Sequence, residues 1–435
     1  MATAGSSRRK AAHGPTVNAI KRAKFEAKQE RWRQASLQQN STQTSSSWYN
    51  GREEYSAYIT VEDVHIIRKL RDGIDISDIE EGRRTRLIRI SDWIEPFFDL
   101  KEGPGCNTTS SSNNNAKKKK DRTFIAEGTE TVRMMIQRCE MATGKTSTDY
   151  DDIELQPPPI RLLSILSKPA TFFDAPTHLL GDVEERNNLI TNNNKAIPPF
   201  KIIIANEEAL SAICGFRIAR GAMACGVIPT YMQRNGYTWL ERLLSKDETT
   251  VRLLAMDSIS NTANMGSILR TASAFSIDAI ILSDDSCDAW YRQSVRTSMG
   301  HVISIPILRV SDWEKGLSND KKYEGNSNEE SNGLKKVIRW LRTSNVECFA
   351  AVVDDDDEDK SKCFPPLVTL EHDTECGIRS WCCVLGNEGH GIHNEVIQEC
   401  DKRIRIEMAS SVDSLSLPIA AGILMHALSS RSRRS

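Results

Sequence analysis

Three short stretches hold the residues whose types and spacing could do chemistry. The first is Leu385-Gly386-Asn387-Glu388-Gly389-His390-Gly391, which closes the apolar run Trp381-Cys382-Cys383-Val384. Glycine tolerates close approach and positive φ, so a strand that ends this way can lay bare backbone against a small ligand. The second is Asn264-Met265-Gly266-Ser267-Ile268-Leu269-Arg270-Thr271-Ala272, preceded by Asn261. Asn261 could cap or turn. Arg270, beside an apolar helix face, could snorkel outward or clamp a phosphate with its planar fork. The third joins Ile404-Arg405-Ile406-Glu407-Met408 to Ser414-Leu415-Ser416-Leu417-Pro418. Ser414 can cap the helix that follows, and a cap is compatible with a ligand contact.

Other chemistries lack their residues. The glycine segment has no G-K-[ST] and is not a Walker phosphate loop, and no G-x-G-x-x-G follows the first strand of this region. His390 and His393 are three apart, but no third ligand accompanies them, so no metal is expected. The acidic run Asp354–Asp359 reads as a solvated loop, because consecutive carboxylates repel and stay wet.

The elements that must position these stretches alternate. From 249 to 430 the strand candidates are 252–256, 279–282, 302–308, 348–353, 381–385 and 403–406. Helix candidates are 266–275, 290–298, 333–342, 392–400 and 415–428. Repeated strand–helix–strand units predict a parallel sheet covered on both faces, and Ala279-Ile280-Ile281-Leu282 is apolar throughout, as a buried parallel strand is. Ligands of such sheets bind beyond the carboxyl ends of the strands, where all three stretches fall.

Upstream, 85–233 reads as a small α/β domain interrupted by the polar tracts 107–120 and 187–195. Residues 234–248 read as a linker with some helix, and 58–84 as an amphipathic helix and linker, with Thr60 as cap and Val61, Val64, Ile67 and Leu70 on one face. Residues 1–57 read as a disordered basic tail; positions 1–50 hold nine Lys/Arg against two Glu. That tail and Lys117-Lys118-Lys119-Lys120 could touch nucleic acid or simply be solvated. The net charge of −2 over 435 residues advertises no polyanion partner for the chain as a whole. Eleven cysteines without C-x-x-C pairs fit reduced thiols inside a cell rather than a disulfide framework. No apolar stretch reaches the roughly 18–20 residues of a membrane span, and secretion is disfavoured. The acid-free start permits an organelle transit peptide, while Arg8-Arg9-Lys10 with Lys21-Arg22-Ala23-Lys24 resembles a two-part nuclear import signal, so cytoplasm, nucleus and organelle stay open.

Together the three stretches resemble the signature of the SpoU/TrmH family of RNA ribose methyltransferases, in the SPOUT class. The family's N-x-G-x-x-x-R-T-A-x-x-F-G is similar to Asn264–Ser276, its L-G-x-E-x-x-G to Leu385–Gly391, and its I-P-M with a later S-L-N-V to Ile406-Glu407-Met408 and Ser414-Leu415-Ser416-Leu417. Phe124-Ile125-Ala126-Glu127-Gly128 resembles a strand of the small ribosomal-protein-like RNA-binding domain that often precedes this catalytic domain, and 215–222 resembles its closing segment. The resemblance implies a C-terminal trefoil knot and a homodimer through the knotted domains. It implies S-adenosyl-L-methionine held around Leu385, Gly386, Gly391, Ile406, Met408, Ser414 and Leu415. Arg270 would be the catalytic arginine, with Glu388 in support, and Asn264 and Ser416 would face substrate, a tRNA or rRNA. Three departures stand out: Ser276 for glycine, Glu407 for proline and Ser416 for asparagine. They keep a second reading open, a non-catalytic RNA-binding or assembly protein that retains the fold.

Overall fold

Apolar runs become strands in a computed structural model of the chain. It describes residues 56–100, 122–139, 160–169, 171, 200–218, 221–229, 231–245, 250–315, 333–353, 367–369, 380–409, 411–412 and 414–431. The basic tail, the four-lysine run, both polar tracts and the acidic run lie outside the described residues, apart from Ser56 and Ala57 at the end of the tail. Residues 57–435 form one compact unit.

Two sheets organise this unit. The first has the order β1-β4-β3-β5-β2, from β1 (Ser56–Ile59), β2 (Thr123–Glu127), β3 (Leu162–Ser167), β4 (Lys201–Ala205) and β5 (Ala222–Val227). It is mixed: β3 runs parallel to β4, while β5 is antiparallel to both β2 and β3. Helices α1 (Val61–Arg71), α2 (Glu81–Ile94), α3 (Thr129–Gln137) and α4 (Glu207–Cys214) accompany it. Thr60 caps α1 in a capping box with Asp63. The amphipathic segment expected to stand apart at 58–84 instead belongs to this sheet. Val64 and Ile67 are buried in one core with Leu87, Ile90, Ile203 and Cys225, because an apolar helix stripe gains by covering the open sheet face.

The second sheet has seven strands in the order β10-β12-β9-β11-β6-β7-β8. These are β6 (Arg252–Met256), β7 (Ala279–Leu282), β8 (Ile307–Arg309), β9 (Glu347–Ala351), β10 (Leu367–Thr369), β11 (Trp381–Leu385) and β12 (Lys402–Arg405). Every neighbouring pair is parallel, as the continuously apolar strands predict. Both faces are covered: Cys382 and Val384 pack with Leu253 and Ala255 in one core, while Trp381, Cys383 and Leu385 on the other face are also buried.

The sequence reading is corrected at several elements. The helix expected within the 234–248 linker is α5 (Tyr231–Leu244), which buries Tyr237, Trp239, Leu240 and Leu243 in the core of the second sheet; residues 246–248 lie outside the described residues. Val302 and Ile303 form a 3-10 turn instead of opening a strand. Met299 and Gly300 are both left-handed there, and Pro306 precedes β8. The short strand β10 had no predicted counterpart. The 392–400 helix shrinks to α10 (Asn394–Ile397). The remaining helices are α6 (Thr262–Ala274), α7 (Arg292–Thr297), α8 (Val310–Lys315), α9 (Gly333–Thr343) and α11 (Leu417–Arg431).

The two sheets meet along α7. Arg122 pairs with Asp288 at 2.7 Å, Phe124 packs on Trp290 at 4.8 Å, and Arg292 donates to the Leu100 carbonyl at 2.8 Å.

Candidate functional site at the carboxyl edge of the parallel sheet

Strand order sets the place. From β6 the chain moves outward to β8, then returns to the far side, and β11 closes between β9 and β6. Leu385 therefore lies in register with Met256, and the segments leaving these two central strands are neighbours at the switch point of the sheet, where such folds take ligands.

The Asn387–Gly391 turn is a closed device. Asn387 and Gly391 exchange two backbone hydrogen bonds of 3.0 Å. The Asn387 side chain donates to the Ser258 carbonyl at 2.7 Å and accepts from Gly389 N–H at 2.7 Å. A Cβ on Gly386 would stand 2.3 Å from Gly391 C and Ile392 N. The glycine here admits the turn's own backbone, a reason additional to the ligand approach expected for it. Gly391 has φ +73° and open space around it.

Two further clips fix the turn. Asp257, 1% exposed in its side chain, receives both His393 N–H at 2.8 Å and the His393 ring Nδ1 at 2.9 Å. The hydrogen bond with Asp257 is the main reason the imidazole's proton affinity rises above its ordinary value. At the tip, Asn264 Nδ2 donates to Glu388 Oε1 at 2.5 Å. Asn264 is presented from the first turn of α6, which Asn261 caps through Ala263 and Asn264 N–H.

Beside the turn lies a network from the next strand end. Ser258, at φ +57°, donates to Asp285, and its N–H is received by Ser283 Oγ at 2.8 Å. Ser283 donates to Asp285 Oδ1 at 2.6 Å. Burial works to raise the Asp285 carboxyl, but these hydroxyl donors outweigh it and hold the group below the usual range.

The predicted residues fall out as follows. Asn264 and Glu388 meet directly. Leu385 is buried and its carbonyl accepts Asp257 N–H at 2.8 Å. Gly386 is buried, whereas Gly391 is exposed. Ile406 and Met408 leave β12 half-buried on the same edge. Ser414 and Ser416 are exposed and Leu415 is half-buried. Ser414 does not cap the last helix: α11 starts at Leu417, and the Ser416 carbonyl receives the first bonds from Ile419 and Ala420. Pro418, lacking N–H, suits that first turn. Arg270 is exposed on α6, about 9 Å along the helix from Asn264, with no ion pair or hydrogen bond to another described residue. Near it α11 crosses α6, where Gly422 would place a Cβ 3.6 Å from Thr271. Asp257, Ser258 and Asp285 escaped the sequence reading, as did the clipping roles of Asn387, quoted only as part of its motif, and His393, weighed only as a metal ligand. Polar residues directly following apolar strands were the available signal. Among the described residues no cluster could hold a metal ion.

A seven-stranded parallel sheet with a clipped glycine turn at its switch point defines a doubly covered α/β domain of the kind that takes ligands at that edge. Residues 252–426, the seven-stranded domain, match the SpoU rRNA Methylase family model. An uncharacterised tRNA/rRNA methyltransferase of Mycobacterium tuberculosis is 24% identical over 224 residues, 51% of this chain and 64% of the relative. The 23S rRNA (guanosine-2′-O-)-methyltransferase RlmB of Bordetella pertussis is 25% identical over 209 residues, 48% of this chain and 71% of the relative. The SpoU methyltransferase AviRb of Streptomyces viridochromogenes superposes with a TM-score of 0.47 at 16% identity, over 79% of this chain and 97% of that one. The match thus covers less than two thirds of the first relative's length.

Proposed function

We propose that this chain methylates a ribose 2′-hydroxyl of tRNA or rRNA, with S-adenosyl-L-methionine as the methyl donor. The carrying observation is the Asn264–Glu388 bond, which joins two sequence motifs 124 residues apart on the helix that presents Arg270. The residues present fit the donor. Ile406, Met408 and Leu415 are apolar side chains left half-open at the strand edge, suited to the flat adenine, and the exposed rim 388–391 offers backbone groups to polar parts.

When bound, the donor supplies a sulfonium methyl whose carbon–sulfur bond breaks as an oxygen–carbon bond forms, leaving the thioether and releasing the hydroxyl proton. The chain's share is alignment, which can supply much of such a barrier. The clips at Asp257, Ser258 and Asn264 hold the turn before any ligand arrives. Arg270 is too basic to accept the proton, so its role is to hold the phosphate beside the reacting ribose and to stabilise the developing alkoxide.

The same reading covers the finer architecture. The late closure of β11 between β9 and β6 supports a trefoil knot. Ile419 and Ile423, 56% and 36% exposed and one turn apart on α11, support a homodimer through this domain. The mixed sheet would be the RNA-binding module. Among the described residues no helix is long and apolar enough to cross a membrane.

The test is transfer of labelled methyl groups from S-adenosylmethionine to bulk tRNA and rRNA by wild type and Arg270→Ala. Label in ribose, lost at least a hundredfold in the variant, is expected. Tight RNA binding without turnover and without donor binding would instead favour the non-catalytic scaffold.

A further inference from the structure

Beyond Arg270, the helix face it occupies leads to a second group of cationic residues. Ser273 lies three residues after Arg270, one turn further on the same face of α6. Its hydroxyl meets His301 Nδ1 at 2.8 Å. His301 is half-buried and opens the 3-10 turn 301–303. That turn is gripped by the other sheet's helix at two points. Thr131 of α3 abuts Gly300, where a Cβ would stand 2.9 Å from Thr131 Cγ2. Arg138, the cap residue of α3, donates Nη1 to the Ile303 carbonyl at 2.8 Å. Arg138 is thus bonded to the turn that carries His301, and Arg270 lies one turn of α6 from the serine that His301 meets.

We propose that Arg270, His301 and Arg138 form a subsite for an RNA phosphodiester at the seam between the two sheets. The inference rests on the methyltransferase reading and adds to it a contact from the mixed-sheet module. Two arginines and a ring nitrogen are the donor set that phosphate oxygens take. His301 Nε2 has no hydrogen bond to another described residue. Burial first, and then the fields of Arg270 and Arg138, hold the imidazole below its ordinary proton affinity. The ring nitrogen offers a hydrogen-bonding position, while the arginines carry the charge. The seam position makes the chain's two parts read one RNA together: the base and ribose at the Asn264–Glu388 edge, a neighbouring phosphate at the seam.

The experiment uses the full chain with bulk tRNA and with fragmented ribosomal RNA, measuring affinity across a salt series and methyl transfer alongside. Arg138→Gln is expected to weaken both RNAs several-fold and to lower the salt slope by about one, as loss of one phosphate contact does. Arg138→Lys should keep the slope, and His301→Gln should keep it too. His301→Glu, which sets a carboxylate near the arginines, should weaken RNA at least as much as Arg138→Gln. If Arg138→Gln and His301→Glu both bind with wild-type affinity and slope, the subsite is wrong. Wild type that binds with this arginine-dependent slope yet transfers no methyl group would sustain the subsite and remove the catalytic reading.

Discussion

Asn264 and Glu388 lie 124 residues apart in the chain and share a hydrogen bond of 2.5 Å. The bond ties the first turn of α6 to the tip of the 387–391 turn, so two segments that each look like an ordinary strand-to-helix corner become parts of one site. Both groups are solvent-accessible, so the bond serves geometry more than stability; a hydrogen bond of this kind contributes about 1 kcal/mol net.

Removing the acceptor should therefore show in ligand binding before it shows in folding. Glu388→Ala is expected to weaken S-adenosylmethionine severalfold by calorimetry with little change in the urea midpoint. Glu388→Gln, which keeps an accepting oxygen, should restore most of the affinity. Equal loss in both variants would mean that the carboxylate's charge, and not the bond, matters.

The two glycines of the turn make a matched pair. A methyl group at Gly386 would fall 2.3 Å from the backbone of Gly391 and Ile392, which no rotamer change can relieve. Gly391 has room but needs φ +73°. Gly391→Ala should cost about 1–2 kcal/mol from left-handed strain. Gly386→Ala should cost more and should also abolish donor binding, because the turn has to move. Chemical denaturation with calorimetry on both variants measures the difference.

Much of this was legible in the chain because the signals were local. A continuous apolar run such as Ala279–Leu282 between helix candidates suits a buried parallel strand, and of the two roles open to Asn261, cap or turn, it takes the cap. The burial of Trp239 and Leu240 was not legible. Tyr237, Trp239, Leu240 and Leu243 do fall at helical spacing, but neighbouring Arg234, Asn235 and Gly236 look like linker until the sheet they cover exists. The pair Asp257 and His393 form was invisible for another reason. Their pairing depends on β11 landing beside β6, a fact of topology that no window of sequence contains. Gly386 has a further reason that the sequence did not show, since sequence reveals that a side chain is forbidden but not which atoms forbid it.

The Asp257–His393 clip gives stability a pH dependence of known sign. The folded imidazole binds its proton more tightly than the free side chain, whose ordinary value is about 6.5. Its contribution is fully present below that value and is lost as pH rises through the higher folded-state value. His301 runs the other way: its folded affinity is lowered, chiefly by burial, so its contribution is lost as pH falls below about 6.5. The two are separated by difference. Urea unfolding of wild type and His393→Gln from mildly acidic to alkaline pH should show wild type's advantage shrinking above neutrality. A constant gap would show that the ring's proton plays no part in the clip.

The end of α6 offers a stabilising change. Phe275 is its cap residue, and Ser276 follows at φ +53°. Ser276 N–H bonds to the Ser273 carbonyl at 3.2 Å and Ile277 N–H to the Ala272 carbonyl at 3.0 Å. That is a Schellman ending, whose left-handed position glycine normally fills. The SpoU/TrmH pattern has glycine there, and this chain has serine, which strains its Cβ against the following carbonyl by roughly 1 kcal/mol. Ser276→Gly relieves the strain, and the greater freedom of glycine in the unfolded chain returns part of the gain. The net expectation is a stabilisation of up to about 1 kcal/mol, read as a higher urea midpoint at unchanged slope. Asn264 sits at the opposite end of α6, but Arg270 and Ser273 lie within two turns of Ser276, so methyl transfer is measured alongside to separate the relief of strain from any shift of Arg270. A lower midpoint would mean that the serine hydroxyl makes a bond worth more than the strain it accompanies.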